Sequence, residues 1–271
     1  MCYSAYGRRI GIRVNRSEVL DRLVHRLPAG WKPAPSPVVD HLYSIWMGGE
    51  GPRTHVRRYH LVYSDGMQVA RTLDPEEALE AFESAQHFYV AEAARNRLFV
   101  HAGVVGWRDR AIVIPGRSLT GKTTLVAALV RAGATYYSDE YAVLDARGRV
   151  HPYPTPLSMR EAGADRPRKV PAAALGGTAG LRPLPVGLVL VTQYRAGSRW
   201  RPRPLSAGQA ALALLANTVA ARRRPAAALA TLRRIASGAS GIRGPRGEAD
   251  AVAPAILNLG RAGARPCRPP A

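Results

Sequence analysis

The chain has 271 residues, 46% of them hydrophobic and 21% charged, which suits a sizeable core and excludes a disordered or fibrous chain. A formal net charge of +20 favours acidic or phosphorylated partners over basic ones. The two cysteines, Cys2 and Cys267, lie at opposite ends and the first nine residues hold no apolar signal core, so neither a disulfide framework nor a cysteine zinc site is expected and a cytoplasmic location is.

In chain order, Ile10, Ile12 and Val14 alternate with polar or small residues as in a half-buried strand. Arg16 to Leu27 carries apolar residues at helical spacing, with Asn15 as its expected cap. A proline-rich connector over 28–37 precedes three strand-like runs, Val38 to Met47, Val56 to Tyr63 and Met67 to Thr72, the last two joined by a turn at Ser64-Asp65-Gly66. Asp74-Pro75-Glu76-Glu77 is a helix start, with Asp74 as cap and Pro75 at the first helical position, and the helix should run to about Asn96. Leu98 to Val105 reads as a strand, hairpin-paired with Ala111 to Ile114 through the tight connection Gly106 to Arg110. A helix ending at Gly133, a strand over 134–137 and a hairpin over 141–153 follow. Residues 154–185 are rich in Pro, Gly, Ala and Arg, and read either as a mobile loop near an active site or as a connector. Val186 to Thr192 is a buried strand, Ser206 caps a helix to about Ala221, and 226–235 is a second helix. Gly241 to Gly244 reads as an edge strand, and 250–259 as a last helix. Three parts are expected: a small β-rich lobe over 1–73, an α/β core over 74–260 and a disordered tail over 261–271.

The motif that organises the chain is the loop between Ile114 and Leu125. Gly116, Arg117, Ser118, Leu119, Thr120, Gly121, Lys122 and Thr123 match G-x-x-x-x-G-K-[ST], and Thr124 follows. An apolar strand before the loop and an apolar helix after it form the context that a phosphate-binding P-loop requires. Glycines let backbone N–H groups turn onto phosphates, and the helix N-terminus adds partial positive charge. Lys122 would reach the β- and γ-phosphates and the Thr123 hydroxyl would hold Mg²⁺. Only three of the 39 basic residues are lysines, Lys32, Lys122 and Lys169. At position 122 a compact charge on a flexible stem suits a phosphate better than a planar fork.

Phosphoryl chemistry also needs carboxylates. Asp139 and Glu140 end the strand after the P-loop helix, where acids could hold Mg²⁺ or accept a proton; the alternative is a pair of exposed turn acids. His101 sits mid-strand among apolar and small residues, which by spacing alone favours a core histidine. The arginines are scattered, and no helix-turn-helix pattern, zinc spacing or basic–aromatic interleaving accompanies them, which argues against a dedicated nucleic-acid protein.

The block from Val100-His101-Ala102-Gly103 through Gly116-Arg117-Ser118-Leu119-Thr120-Gly121-Lys122-Thr123-Thr124 to Ser138-Asp139-Glu140 resembles the HPr kinase/phosphorylase superfamily, and within it the shorter HPr-kinase-related kinases. The later segments Leu184 to Thr192, Pro204 onward and Gly241 to Asp250 are similar too, so the resemblance spans about residues 75–260. It implies an α/β fold like that of HPr kinase and phosphoenolpyruvate carboxykinase, with the P-loop on a mixed β-sheet. It also implies roles: Asp139 activates the acceptor hydroxyl, Glu140 lies close to Mg²⁺, and His101 stands beside that centre rather than in the core. Known members phosphorylate a serine on a small protein, and relatives encoded with lasso-peptide pathways phosphorylate a precursor peptide. Leu119 departs from the family's glycine, Thr124 replaces the glutamate of true HPr kinases, and their longer C-terminal signature is missing.

The expectation is therefore an ATP- and Mg²⁺-dependent serine kinase acting on a peptide or small protein. Asp139, His101 and Lys122 would be catalytic, the loop 116–124 would bind nucleotide, and Thr123, Glu140 and Asp139 would hold metal. No membrane partner is expected, and a homo-oligomer is compatible with the sequence. The competing readings are a nucleotide-binding scaffold subunit with little turnover and a basic nucleic-acid binder.

Overall fold

Alternating apolar residues in the first hundred positions become one covered sheet face. The computed structural model describes residues 1–49, 57–116, 120–160 and 166–262, and the chain divides into two units, Met1–Asn96 and Arg97–Ala271. The first unit runs β1 (Cys2–Ala5), β2 (Arg8–Val14), α1 (Glu18–Val24), β3 (Lys32–Pro33), β4 (His41–Trp46), β5 (His60–Ser64), β6 (Met67–Thr72) and α2 (Pro75–Ala93). Its six strands lie in the order β3-β1-β2-β4-β5-β6, with β2 and β4 parallel and the other neighbours antiparallel. Ile10, Ile12, Tyr43, Ile45 and Val62 are buried, as are Leu23 of α1 and Leu79 and Phe82 of α2. Phe82 meets the Tyr43 ring edge-on at 5.3 Å. Asp74 caps α2 as expected, accepting from the N–H groups of Glu76 and Glu77 at 2.8 and 3.3 Å.

Three details differ from the sequence expectation. β1 was not anticipated; it pairs with β2 in register, Cys2 opposite Gly11. Asn15 does not cap α1, because its side-chain amide is taken by the backbone of Met47, donating to the carbonyl (3.0 Å) and accepting from the N–H (2.8 Å). The helix from Asp74, grouped with the core on sequence, packs on β5 and β6, and the first unit closes only at Asn96.

The second unit runs β7 (Leu98–Trp107), β8 (Arg110–Pro115), α3 (Lys122–Arg131), β9 (Thr135–Ser138), β10 (Tyr141–Leu144), β11 (Arg149–His151), β12 (Leu157–Met159) and β13 (Arg168–Val170). A single 3-10 turn (Ala172–Leu175) leads to β14 (Leu184–Tyr194), β15 (Arg203–Leu205), α4 (Ala207–Leu215), α5 (Pro225–Gly238), β16 (Ser240–Arg246) and α6 (Ala249–Ala262). The strand order is β11-β10-β7-β8-β14-β16-β15, with β9 also on β7 and β11 also reaching β14. β8, β14 and β16 are mutually parallel and β7 is antiparallel to β8, so the sheet is mixed.

Both faces of this sheet are covered, which explains why β8 reads as an unbroken apolar run. Ala111 and Val113 face the layer of α4 and α5 with Val189, Leu214, Leu232 and Ile235. Ile112 and Ile114 face the layer of α3 and α6 with Leu125, Leu129, Leu188 and Ile256. β7 and β8 form the expected hairpin, turning through Arg108 and Asp109, both at positive φ (47° and 60°), as a two-residue type I′ turn requires. α3 lies close on β7: a Cβ at Gly103 would stand 2.6 Å from Val126 Cγ2.

Corrections arise here as well. β16, expected at an edge, is interior because β15 pairs along its outer side. α4 stops at Leu215 rather than near Ala221, since the next carbonyls and N–H groups are used by β7: the Asn217 carbonyl accepts from His101 N–H (2.7 Å), and Val219 N–H donates to Phe99 (3.0 Å). α6 runs to Ala262, past the expected start of the tail, and residues 263–271 lie outside the described residues.

Candidate active site

Local chemistry sets the strand–loop–helix junction. β8 delivers Gly116, whose N–H donates to the His101 carbonyl at 3.3 Å, so loop entry and His101 are tied together. At the loop's exit Gly121 stands at φ +83°, a left-handed conformation that glycine adopts without strain, and serves as N-cap of α3. The Thr120 carbonyl accepts from Tyr194 N–H at 3.3 Å, and the Gly121 carbonyl accepts from the Arg246 guanidinium at 2.7 Å. Because a trans peptide points its N–H opposite its C=O, the N–H groups of Gly121 and Lys122 face away from Tyr194 and Arg246. They lie at the start of α3, and a helix N-terminus is a ready anion site. The Lys122 stem lies back over Gly116, where an added Cβ would meet its Cδ at 3.7 Å and Thr120 Oγ1 at 3.2 Å.

Neighbouring strands bring the acids to this point. β10 sets Tyr141 opposite His101, and the Glu140 carbonyl accepts from Ala102 N–H at 3.1 Å. β9 places Ser138 opposite Val104. Asp139 is buried, 8% exposed, and its carboxylate accepts from the Thr123 hydroxyl, the Tyr136 hydroxyl (3.3 Å) and the Ser158 N–H (3.4 Å). Burial raises its pKa above the usual carboxylate range, and the neighbouring Glu140 adds to this against the hydrogen bonds and Lys169. Lys122 is equally buried; desolvation brings its ammonium down to about 8, opposed by the Asp139 charge. His101 is shifted down by burial and by Lys122, against Glu140. Glu140 hydrogen-bonds the Tyr141 hydroxyl.

The structure thus gathers His101, Gly116, Thr120, Gly121, Lys122, Thr123, Asp139 and Glu140, from strand β7, the loop after β8, helix α3 and the turn between β9 and β10. Thr124 is exposed. Arg117, Ser118 and Leu119 lie outside the described residues. Asp139 is no exposed turn acid, and His101 is only partly buried beside Lys122.

Sequence reasoning missed three participants. Ser158 and Lys169 face each other across the β12–β13 hairpin, within the segment that reads as loop or connector, and both act on Asp139. The one available signal was that Lys169 is a lysine in an arginine-rich chain. Arg246 is 1% exposed: besides Gly121 it donates to the Gly247 carbonyl (2.9 Å), it lies 5.7 Å from the Tyr194 ring centroid, and its Nε has no hydrogen-bond partner.

Among solved structures the chain is similar to the Hpr(Ser) kinase/phosphatase from Coxiella burnetii, at 15% identity and a TM-score of 0.35, over 60% of this chain and 94% of that one. A likeness at that level is a distant one of fold and says nothing of substrate or mechanism. No protein-family model matches the chain. No curated protein matches it either. None of the described helices is long and apolar enough to cross a membrane.

Proposed function

We propose that the protein is an ATP- and Mg²⁺-dependent kinase that transfers the γ-phosphoryl group to a serine hydroxyl of a peptide or small protein. The observation that carries this reading is a single cluster: Thr123 and Lys122, at the start of a helix that follows a glycine-bounded loop, lie against the buried carboxylate of Asp139. The sequence resemblance to HPr-kinase-related kinases adds the serine acceptor and the peptide or small-protein substrate.

The residues suit the metal. The Thr123 hydroxyl and Asp139 carboxylate, already hydrogen-bonded, and the neighbouring Glu140 carboxylate are hard oxygen donors. Magnesium in phosphoryl-transfer sites is held by one or two such groups plus substrate phosphates. Bound there, it would neutralise charge on the β- and γ-oxygens. The loop amides and Lys122 would hold the phosphates and stabilise charge on the transferring group. Asp139 takes the proton from the serine hydroxyl as its oxygen forms a bond to the γ-phosphorus. The bond from that phosphorus to the β–γ bridging oxygen breaks, and ADP leaves. A raised carboxyl pKa makes Asp139 a stronger base, and dropping pH through that raised value removes it.

Transfer of label from γ-labelled ATP to serine-containing peptides, with recovery of phosphoserine, is the direct test. Nucleotide binding without transfer to any peptide or small protein would sink the kinase reading and leave a scaffold. A second expectation concerns pH. Lys122 loses its proton above about 8 in the free protein, and a neutral amine attracts phosphate far less. ATP affinity should therefore fall as pH rises beyond that value, by about tenfold per unit once the proton must be taken up on binding. Lys122→Arg should flatten that limb in a titration of ATP binding from pH 7 to 10, because arginine stays charged.

A further inference from the structure

In the first unit α1 and α2 pack on the face of the sheet that carries Tyr43, Ile45 and Val62; the alternate residues of the same strands lie on the opposite face. There the register aligns Trp46, Leu61 and Arg71 across β4, β5 and β6, and beside them Arg13, Ser44 and Tyr63 across β2, β4 and β5. Trp46 is 58% exposed, unusual for so large an apolar side chain. Two clefts open on this face and share Asn15, Trp46 and Leu61. One, of about 440 Å³, is lined by Arg16, Arg58 and Arg71 together with Tyr59. The other, of about 430 Å³, is lined chiefly by carbon, from Val14, Ile45, Leu61 and Tyr63 around Trp46.

We propose that this face is a docking site for an acidic peptide segment that carries an aliphatic or aromatic side chain. The charge argument comes first. Arg13, Arg16, Arg58 and Arg71 are all exposed, and among the described residues none of them forms an ion pair and no acidic side chain lines either cleft. An exposed tryptophan ringed by arginines is the composition of an interface core, where Trp, Tyr and Arg carry most binding energy. The two clefts divide the labour: carboxylates meet the guanidinium groups on one side of Trp46, and an apolar side chain enters the carbon-lined cleft on the other. A single-stranded nucleic acid fits less well. It needs a succession of open aromatic rings, whereas Tyr59 already has the Arg71 guanidinium over its face at 4.0 Å and Tyr63 is half-buried, leaving Trp46 as the one exposed ring among the described residues of the two clefts. This docking site stands independently of the kinase reading, since it uses residues of the first unit alone.

The test is fluorescence anisotropy on the full chain, with a fluorescein-labelled peptide of four Glu-Asp-Leu repeats as probe and a labelled twelve-nucleotide oligo-dT as rival. Saturable peptide binding is expected, weakened at least about tenfold by Trp46→Ala and by the pair Arg58→Glu/Arg71→Glu. The charge-matched pair Arg222→Glu/Arg233→Glu, in the second unit, should leave it unchanged. Replacing the leucines of the probe by serine should weaken binding, and replacing its acids by lysine should abolish it. The exposed positions of Trp46, Arg58 and Arg71 make misfolding easy to check by an unchanged thermal midpoint. Three results overturn the proposal: no saturable peptide binding, binding that both arginine pairs weaken equally, or tighter binding of oligo-dT that depends on Trp46.

Discussion

Asp139→Asn is expected to lower phosphoryl transfer by about 10²- to 10⁴-fold, the usual worth of a positioned general base, while the folded protein becomes no less stable. The two halves of that expectation arise from one cause. Asp139 is buried, and burial raises its pKa, so the folded state holds its carboxylate at a cost relative to the unfolded chain. The sign is that of a carboxyl with a raised folded pKa: the penalty is present at neutral pH and relieved as pH falls towards that pKa. A neutral asparagine can turn its oxygen to the Ser158 N–H and its amide N–H to the Tyr136 hydroxyl oxygen, whose own proton goes to the Thr155 carbonyl at 2.6 Å, and it removes the buried charge. The thermal midpoint measured without nucleotide should rise or hold, whereas a carboxylate serving only the fold would lower it on replacement. Single-turnover transfer at saturating ATP, beside a melting curve, reads both quantities. Equal transfer by variant and wild type would remove Asp139 from the mechanism.

Arg246→Met should weaken ATP binding by about 10- to 100-fold, although Arg246 was not among the residues the sequence singled out. The side chain is buried and donates to the carbonyl of Gly121, the left-handed residue that begins α3. Hydrogen bonds from charged donors contribute about 1.5–3 kcal/mol each, and here one of them holds a peptide plane whose N–H belongs to the anion site. Without it the Gly121 carbonyl keeps only the Leu125 N–H (3.1 Å), so the Gly121–Lys122 peptide is held less firmly and its N–H is aimed less well at the phosphates. A methionine of similar length fills the space, so global stability should change much less than affinity. Calorimetric titration with ATP, beside a urea melt, separates the effects. A large loss of stability with unchanged affinity would make Arg246 a structural residue only.

Local signals carried the sequence reading far. The Asp74 cap, the Ser206 cap and the β7–β8 hairpin depend on residues within a few positions of one another, and each is present in the structure. The strand–loop–helix junction was legible for the same reason. What stayed hidden depends on partners distant in sequence. Asn15 is a residue type suited to a cap, yet the backbone of Met47, 32 residues away, claims its side chain. Arg246 looks like any other arginine until β16 is placed between β14 and β15. The arginines and aromatic residues of the first unit look scattered along the chain and become neighbours only through strand register.

The hydrogen bond between Arg246 and Gly121 spans 125 residues, and β8 gains its parallel neighbour only when β14 is in place. Loops closed by such remote contacts form late, because chain entropy must be spent before the contacts reward it. The phosphate cradle is therefore encoded well before β16 in the chain but completed only by the contact that β16 brings. During synthesis, the segment that carries Lys122 emerges well before the strand that holds the loop in shape. A chain cut short before β16 would lose both the Arg246 contact and the α6 residues that cover one face of the sheet, and with them the ability to hold a triphosphate.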